Sequence, residues 1–298
     1  MVKFFKVAGH TFSIEMDDGC RLWDKLTVNY GPFEVSGKES GAPVFALVVT
    51  NPADWRNVRL GSMEPLFVSR NGEDEPQTDL YADGDGLYVE TSPNGRIPKI
   101  ASLTISPDCR KGDLRIGDAR YARFAVDNAA MLMFAFATVG SDTLEMHSSV
   151  TVNDGRAYMF LAKSGTGKST HSRMWVENIP GSEVLNDDNP IVRVLPDGSV
   201  RVYGSPWSGK TPCYRNESAP LGAMVLIRRC PDNRITRLSA FEAYAVVSSS
   251  SSGFRGIGRF ADGLHETISK IVLEQPCFVL DCRPDAEAAQ VCHDAVCK

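Results

Sequence analysis

No two cysteines in this chain are separated by just two residues, although there are eight of them. Zinc sites and redox-active dithiols depend on such short spacings. The C-terminal group of Cys277, Cys282, Cys292 and Cys297 with His293 therefore reads as reduced thiols on a strand and a terminal helix, and a reducing compartment is expected. No apolar run approaches the roughly 20 residues of a membrane span. The first residues carry no continuous apolar stretch followed by a small-residue cleavage site, which predicts a cytoplasmic protein with no membrane partner. Basic runs are lacking too. The 32 lysines and arginines are scattered among 37 aspartates and glutamates, for a net charge of -5. That excludes the electropositive stripe of a nucleic-acid binder.

What is present is concentrated in residues 157–170, AYMFLAKSGTGKST. Residues 157–162 form an apolar run suited to a buried strand. Ser164, Gly165, Thr166 and Gly167 make a small-residue turn, and Lys168, Ser169 and Thr170 open a helix. Glycines let backbone N–H groups converge on phosphate oxygens, a helix N-terminus adds positive potential, and a lysine and a hydroxyl complete the cradle. All seven residues from Ser164 to Thr170 are predicted to bind nucleotide, with Lys168 at the β/γ-phosphates and Ser169 on Mg²⁺. ATP and Mg²⁺ are the cofactors expected. Ala162 stands where the pattern GxxxxGK[ST] has its first glycine, and alanine is small enough to serve there.

Upstream, short alternating or apolar runs, residues 122–126 and 130–139 among them, are predicted as strands. Turn pairs punctuate them at Asp18, Asn71, Asp83 and Asn94, each followed by glycine. A largely antiparallel β-rich half results, with His10, Trp23 and Trp55 in its core or turns. Residues 144–152 then alternate, and Asp154 with Gly155 turns them back into the loop strand. That hairpin brings His147 opposite Ala162, at the edge of the site.

Beyond the loop, a helix over 168–178 leads to Asn186, Asp187, Asp188 and Asn189 at a strand end, where a carboxylate can face a metal on the loop. One of the pair can hold Mg²⁺ while the other accepts a proton. Asp188 is assigned the metal and Asp187 the base. Asp197 and Gly198 turn a second hairpin into residues 204–211, GSPWSGKT. Pro206 and Pro212 deny this loop a free helix N-terminus. It is predicted to serve the acceptor, with Lys210 placing a charge near the transferring phosphoryl group and Trp207 offering an apolar face. Strands and helices alternate thereafter. Arg228, Arg229, Arg255 and Arg259 are candidates for a charge-stabilising arginine.

The combination of a strand with His147, AKSGTGKS, NDD and a glycine-containing loop resembles the C-terminal catalytic domain of bacterial HPr kinase/phosphorylase. More distantly it resembles the nucleotide half of phosphoenolpyruvate carboxykinase. The likeness covers roughly residues 144–297. It is nearest to small kinase-like proteins whose pattern runs SGTGKSTHSRMW, LNDDNP and YGSPWSGK. It implies that Lys168 and Ser169 bind phosphate and Mg²⁺, that Asp187 and Asp188 serve base and metal, and that His147 supports the aspartate. The glutamate that precedes a glycine in the HPr kinase signature has no acidic counterpart beside Gly204. The N-terminal half resembles no part of that enzyme. Both departures argue against HPr as the substrate.

The expected architecture is α/β: a phosphoenolpyruvate carboxykinase-like phosphate-loop catalytic domain, 141–298, preceded by a β-rich N-terminal region, 1–140. The expected activity is ATP- and Mg²⁺-dependent phosphoryl transfer to a hydroxyl of a protein, peptide or small molecule, with catalytic residues Asp187, His147, Lys168 and Lys210. The alternatives are a non-catalytic nucleotide-sensing regulator and a carboxykinase-related metabolic enzyme. Neither nucleic acid nor membrane is an expected partner, and a homo-oligomer is compatible with the chain.

Overall fold

A computed structural model of the chain describes residues 1–17, 21–37, 41–50, 63–68, 72–209 and 211–297. The turn readings at Asp18 and Asn71, the core reading of Trp55 and the catalytic reading of Lys210 lie outside these residues. The protein is a mixed α/β molecule with two large sheets, one in each of two compact units, Met1–Ala137 and Thr138–Lys298.

The first unit contains β1 (Val2–Val7), β2 (His10–Glu15), α1 (Leu22–Tyr30), β3 (Glu34–Val35), β4 (Ala46–Thr50), β5 (Pro65–Val68), β6 (Gln77–Asp83), β7 (Gly86–Ser92), β8 (Ala101–Ile105), β9 (Lys111–Ile116) and α2 (Ala122–Thr138). Its strand order is β3-β1-β2-β4-β9-β8-β7-β6-β5. The pairing is antiparallel except at β2–β4 and β4–β9. The Asp83 turn closes the β6–β7 hairpin, with Asp83 opposite Gly86. Trp23 is buried on α1.

One expectation for this half is corrected. Residues 122–126 and 130–139 are not strands; they belong almost entirely to the single helix α2. Ala125, Val126, Ala129, Ala130, Met133 and Phe134 are buried at the spacing of one helical face, and Phe136 and Thr138 are buried near its end. Phe124, Met131 and Leu132 on the other sides are apolar as well, which hides the 3.6-residue period in the sequence.

The second unit runs β10 (Thr143–Glu145), β11 (Ser148–Asn153), β12 (Arg156–Leu161), α3 (Lys168–Asn178), β13 (Glu183–Asp188), β14 (Ile191–Val194), β15 (Val200–Tyr203), β16 (Ser218–Arg229), β17 (Arg234–Arg237), α4 (Ala240–Ser250), α5 (Gly258–Glu274), β18 (Cys277–Cys282) and α6 (Ala286–Val296). The sheet order is β10-β14-β15-β16-β12-β11-β13, with β18 paired to β16 and β17 to β18. β12 and β18 both lie parallel to β16, and the chain passes from β16 to β18 by way of β17, α4 and α5. Tyr158 and Phe160 of β12, Trp175 of α3, Val225 and Ile227 of β16, and Ala288 and Cys292 of α6 share one buried cluster. α3 is thereby held against the sheet, which fixes the direction in which its first turn points.

The seven described cysteines are free. Burial pushes the Cys277 thiol up to about 12 and the Cys282 thiol up to about 11, so both behave as small apolar groups. Among the described residues, no helix is long and apolar enough to cross a membrane.

Candidate active site

The β12–α3 junction has the geometry that its sequence predicts. β12 ends at Leu161 and α3 begins at Lys168. Between them Gly165 and Gly167 take φ of 73° and 129°, a region L-residues with a Cβ rarely enter. The Thr166 N–H donates to the Lys163 carbonyl at 3.1 Å. From the end of β16, Arg229 Nε donates to the Thr166 carbonyl at 3.0 Å and Nη2 to the Gly165 carbonyl at 2.6 Å. In a trans peptide the N–H points opposite to the C=O. With the Thr166 carbonyl tied down by Arg229, the Gly167 N–H points away from Arg229. Arg229 thus holds this loop, whereas Arg228 is paired with Asp281 and Arg255 with carbonyls of its own serine-rich segment.

His147 arrives where the hairpin arithmetic puts it. Asp154 and Gly155 make the turn, Asn153 pairs with Arg156 and Ser148 with Leu161, so His147 stands one step beyond, level with Ala162. On its other side β11 pairs with β13, Ser148 against Asp188 and Ser149 against Asp187. Lys168, His147 and Asp188 consequently form a chain. Lys168 Nζ donates to His147 Nε2 at 2.7 Å, and His147 Nδ1 lies 2.9 Å from Asp188 Oδ1. An ammonium can only donate, so Nε2 accepts and the ring proton sits on Nδ1, facing the carboxylate. Lys168 also donates to the Ala162 carbonyl at 3.3 Å. Burial lowers the pKa of Lys168, and the charges of Asp188 and Asp187 oppose that shift.

The two aspartates face different surroundings. Asp188 has φ of 129°, an uncommon conformation for a residue with a side chain, and Asn189 Nδ2 donates to its Oδ2 at 3.2 Å. Asp187 is buried and lines a hollow of about 130 Å³ together with Ser169, Ser149, Ser172, Arg173 and Thr211. The hydroxyl expected on Mg²⁺ thus shares a hollow with Asp187. Mg²⁺ is commonly held by one or two carboxylates plus substrate phosphates, and Ser169 with Asp187 suits that donor set. Among the described residues no group of three or more His, Cys, Asp or Glu could hold a metal ion.

The second loop packs against this pair. The Gly209 N–H donates to the Asp187 carbonyl at 2.6 Å, and Ser208 Oγ to the same oxygen at 3.0 Å. An added Cβ at Gly209 would come within 3.2 Å of the Asp188 Cβ and 3.3 Å of the Asp187 carbonyl oxygen, tighter than most such contacts, so glycine eases the close approach. Asn186 is the hub that sequence reasoning missed. Its Nδ2 donates to the Trp207 carbonyl at 3.2 Å and Ser205 Oγ at 3.3 Å, while Oδ1 accepts from the Asn189 N–H at 3.0 Å. Trp207 is corrected here: at 3% exposure it is a core residue and offers no face to an acceptor. Pinning of its backbone by Asn186 and Ser205 turns the indole inward.

Glu145, at the end of β10, was also missed. It is 2% exposed, and among the described residues neither carboxylate oxygen has a partner at hydrogen-bonding geometry. Burial pushes its pKa up to about 8; nearby Ser252 offsets part of this and the Asp188 charge adds to it. The carboxyl is protonated in the folded chain at neutral pH and ionised in the unfolded chain. Its stabilising contribution is therefore complete below the unfolded pKa of about 4.3 and is lost as pH rises towards 8. Glu145→Gln should flatten the decline in stability across that window, by on the order of a few kcal/mol. Urea titrations at pH 5 and pH 8 (about these values) check this, and an unchanged pH slope in the variant would refute it.

No protein-family model matches the chain, and no curated protein matches it. Among solved structures, the HPr(Ser) kinase/phosphatase from Coxiella burnetii is similar at 7% identity and a TM-score of 0.32, over 51% of this chain and 95% of that one. This is a distant structural relationship, and it carries no functional argument.

Proposed function

We propose that the second unit is an ATP- and Mg²⁺-dependent phosphotransferase of the phosphoenolpyruvate carboxykinase-like, HPr kinase-like type, acting on a hydroxyl acceptor. The observation that carries this reading is the Lys168–His147–Asp188 chain beside a strand–loop–helix phosphate cradle. A phosphate-binding loop alone would serve a nucleotide sensor. A carboxylate and a lysine joined through one imidazole also provide a proton acceptor beside a phosphate-neutralising cation.

The loop N–H groups and the α3 N-terminus bind the phosphates, and Lys168 neutralises charge on the β/γ-oxygens. Ser169 and Asp187 would hold Mg²⁺, which supplies charge neutralisation when bound. The division of labour expected from sequence is thereby exchanged: Asp187, beside Ser169, takes the metal, and Asp188, oriented by His147, takes the acceptor proton. In the transfer step the acceptor O–H proton passes to Asp188 and the acceptor oxygen bonds to the γ-phosphorus. The bond to the β–γ bridging oxygen breaks, and a nucleoside diphosphate leaves. Little covalent chemistry is asked of the protein; positioning and charge carry the rate.

Incubation of the chain with γ-labelled ATP and a cell extract, followed by mass spectrometry, tests the reading. Labelled product is expected with the parent chain; its absence, with ATP bound, would leave a sensor instead. The metal assignment has its own measurement. Asp187→Asn should need about tenfold or more Mg²⁺ to reach the parent's ATP affinity, and Asp188→Asn should titrate like the parent. The opposite pattern would restore the sequence assignment.

A further inference from the structure

A cavity of about 690 Å³ adjoins the phosphate loop on the side away from the catalytic chain, a volume within the range of small-molecule sites. Thr166, Gly167 and Thr170 form one wall, so it shares its rim with the cradle; neither His147, Lys168 nor Asp188 lines it. We propose that this cavity receives the nucleoside half of the nucleotide, so that base and ribose lie between α3 and the β16–β17 turn while the phosphates run along the loop towards Lys168. The inference rests on the nucleotide-binding reading above and deepens it.

The chemistry of the walls suits a flat, weakly polar ring. Met174, Ile227, Pro231 and Pro284 supply apolar surface. The two arginines that line the cavity are already engaged. Arg229 holds the Gly165 and Thr166 carbonyls. Arg283 is paired with Asp285 and Glu287, both at 2.7 Å, and donates to the Pro231 carbonyl at 2.8 Å. The cavity therefore offers no second polyanion site, whereas the loop beside it does offer one for phosphates.

One polar ring lines the wall without carrying charge. His171 is 1% exposed, and burial holds its pKa down at about 4, so the ring is neutral. Trp175 Nε1 donates to His171 Nε2 at 3.2 Å, which leaves the ring proton on Nδ1. That atom has no hydrogen-bond partner among the described residues. Nδ1 is closed to solvent and so to the cavity, and what the ring presents to an occupant is a neutral, weakly polar surface.

Cys230, half-buried in the wall, reports occupancy. Its alkylation by iodoacetamide, followed by peptide mass spectrometry, is compared with ATP, with inorganic tripolyphosphate and with neither, alongside calorimetry of both ligands. ATP should slow the labelling about tenfold or more, and saturating tripolyphosphate should not. Cys230→Trp, which fills the cavity, should weaken ATP about tenfold and leave tripolyphosphate binding unchanged. If ATP binds yet Cys230 labels at the parent rate, or if tripolyphosphate protects it equally, the cavity assignment is wrong and the loop reading stands. If neither ligand binds the parent chain, the loop reading itself fails. The labelling experiment uses the parent chain, so the inference stays testable if the tryptophan variant does not fold.

Discussion

Lys168→Ala is expected to lower phosphoryl transfer by about 10²- to 10³-fold, the usual loss when one preorganised charge-stabilising donor is removed from an active site. The residue opens α3, is 8% exposed and is aimed by two acceptors, His147 Nε2 at 2.7 Å and the Ala162 carbonyl at 3.3 Å. Truncation leaves Gly165 and Gly167 in place, so the backbone cradle survives and ATP binding weakens less than turnover falls. Burial disfavours the ammonium and the two aspartates favour it. Arginine is therefore no conservative replacement, because its longer planar fork would have to displace His147. Single-turnover assays with labelled ATP, beside calorimetry of ATP binding, separate the two effects. Equal ATP affinity together with equal transfer in the variant would remove Lys168 from the site.

Asp188→Asn should cost about 10²- to 10⁴-fold in turnover, the range attributed to a positioned general base. Asparagine preserves the shape and puts no bulk on the backbone that aspartate does not already place at its φ of 129°, so the fold should persist. What disappears is the negative charge that receives His147 Nδ1–H at 2.9 Å. Two consequences follow from one substitution: the acceptor proton has nowhere to go, and the imidazole loses the partner that fixes its tautomer for Lys168. His147→Ala should then lose less than Asp188→Asn, since it removes the orienting group and spares the carboxylate. A His147→Ala variant slower than Asp188→Asn would mean that the histidine itself moves the proton.

Local features of the site could be read from the chain, and distant ones could not. The strand, glycine turn and helix of residues 157–178 are contiguous, and their chemistry is declared by residue type. The position of His147 followed from a single turn at Asp154 and Gly155, because a hairpin register is fixed by its loop. Arg229 and Asn186 gave no such signal. The loop carbonyls that Arg229 binds are 63 and 64 residues away in sequence, and the Ser205 and Trp207 partners of Asn186 are 19 and 21 away; nothing local distinguishes an arginine that binds loop carbonyls from one on the surface. Trp207 was misread because a glycine- and proline-rich loop is ordinarily exposed, whereas this one is drawn in by side-chain amides and hydroxyls. Glu145 was invisible for a different reason: a single acidic residue at a strand end says nothing about whether water reaches it. The helix α2 failed on periodicity, since a segment apolar on several sides carries no clean stripe.

β16 is a single strand of twelve residues, and its two ends serve different loops. Ser218 pairs with Tyr203, next to the start of the loop that packs on the aspartates, and Arg229 at the far end grips the phosphate loop. At about 3.3 Å per residue the strand measures out roughly 36 Å between these duties, so it works as a gauge. A one-residue insertion within it would turn its side chains to the opposite face beyond the insertion, releasing Arg229 from Gly165 and Thr166. The same insertion in the β14–β15 turn at Asp197 and Gly198 would disturb neither end. Length variation in this unit should therefore collect in that turn and be rejected along β16, whatever the side chains on the strand are.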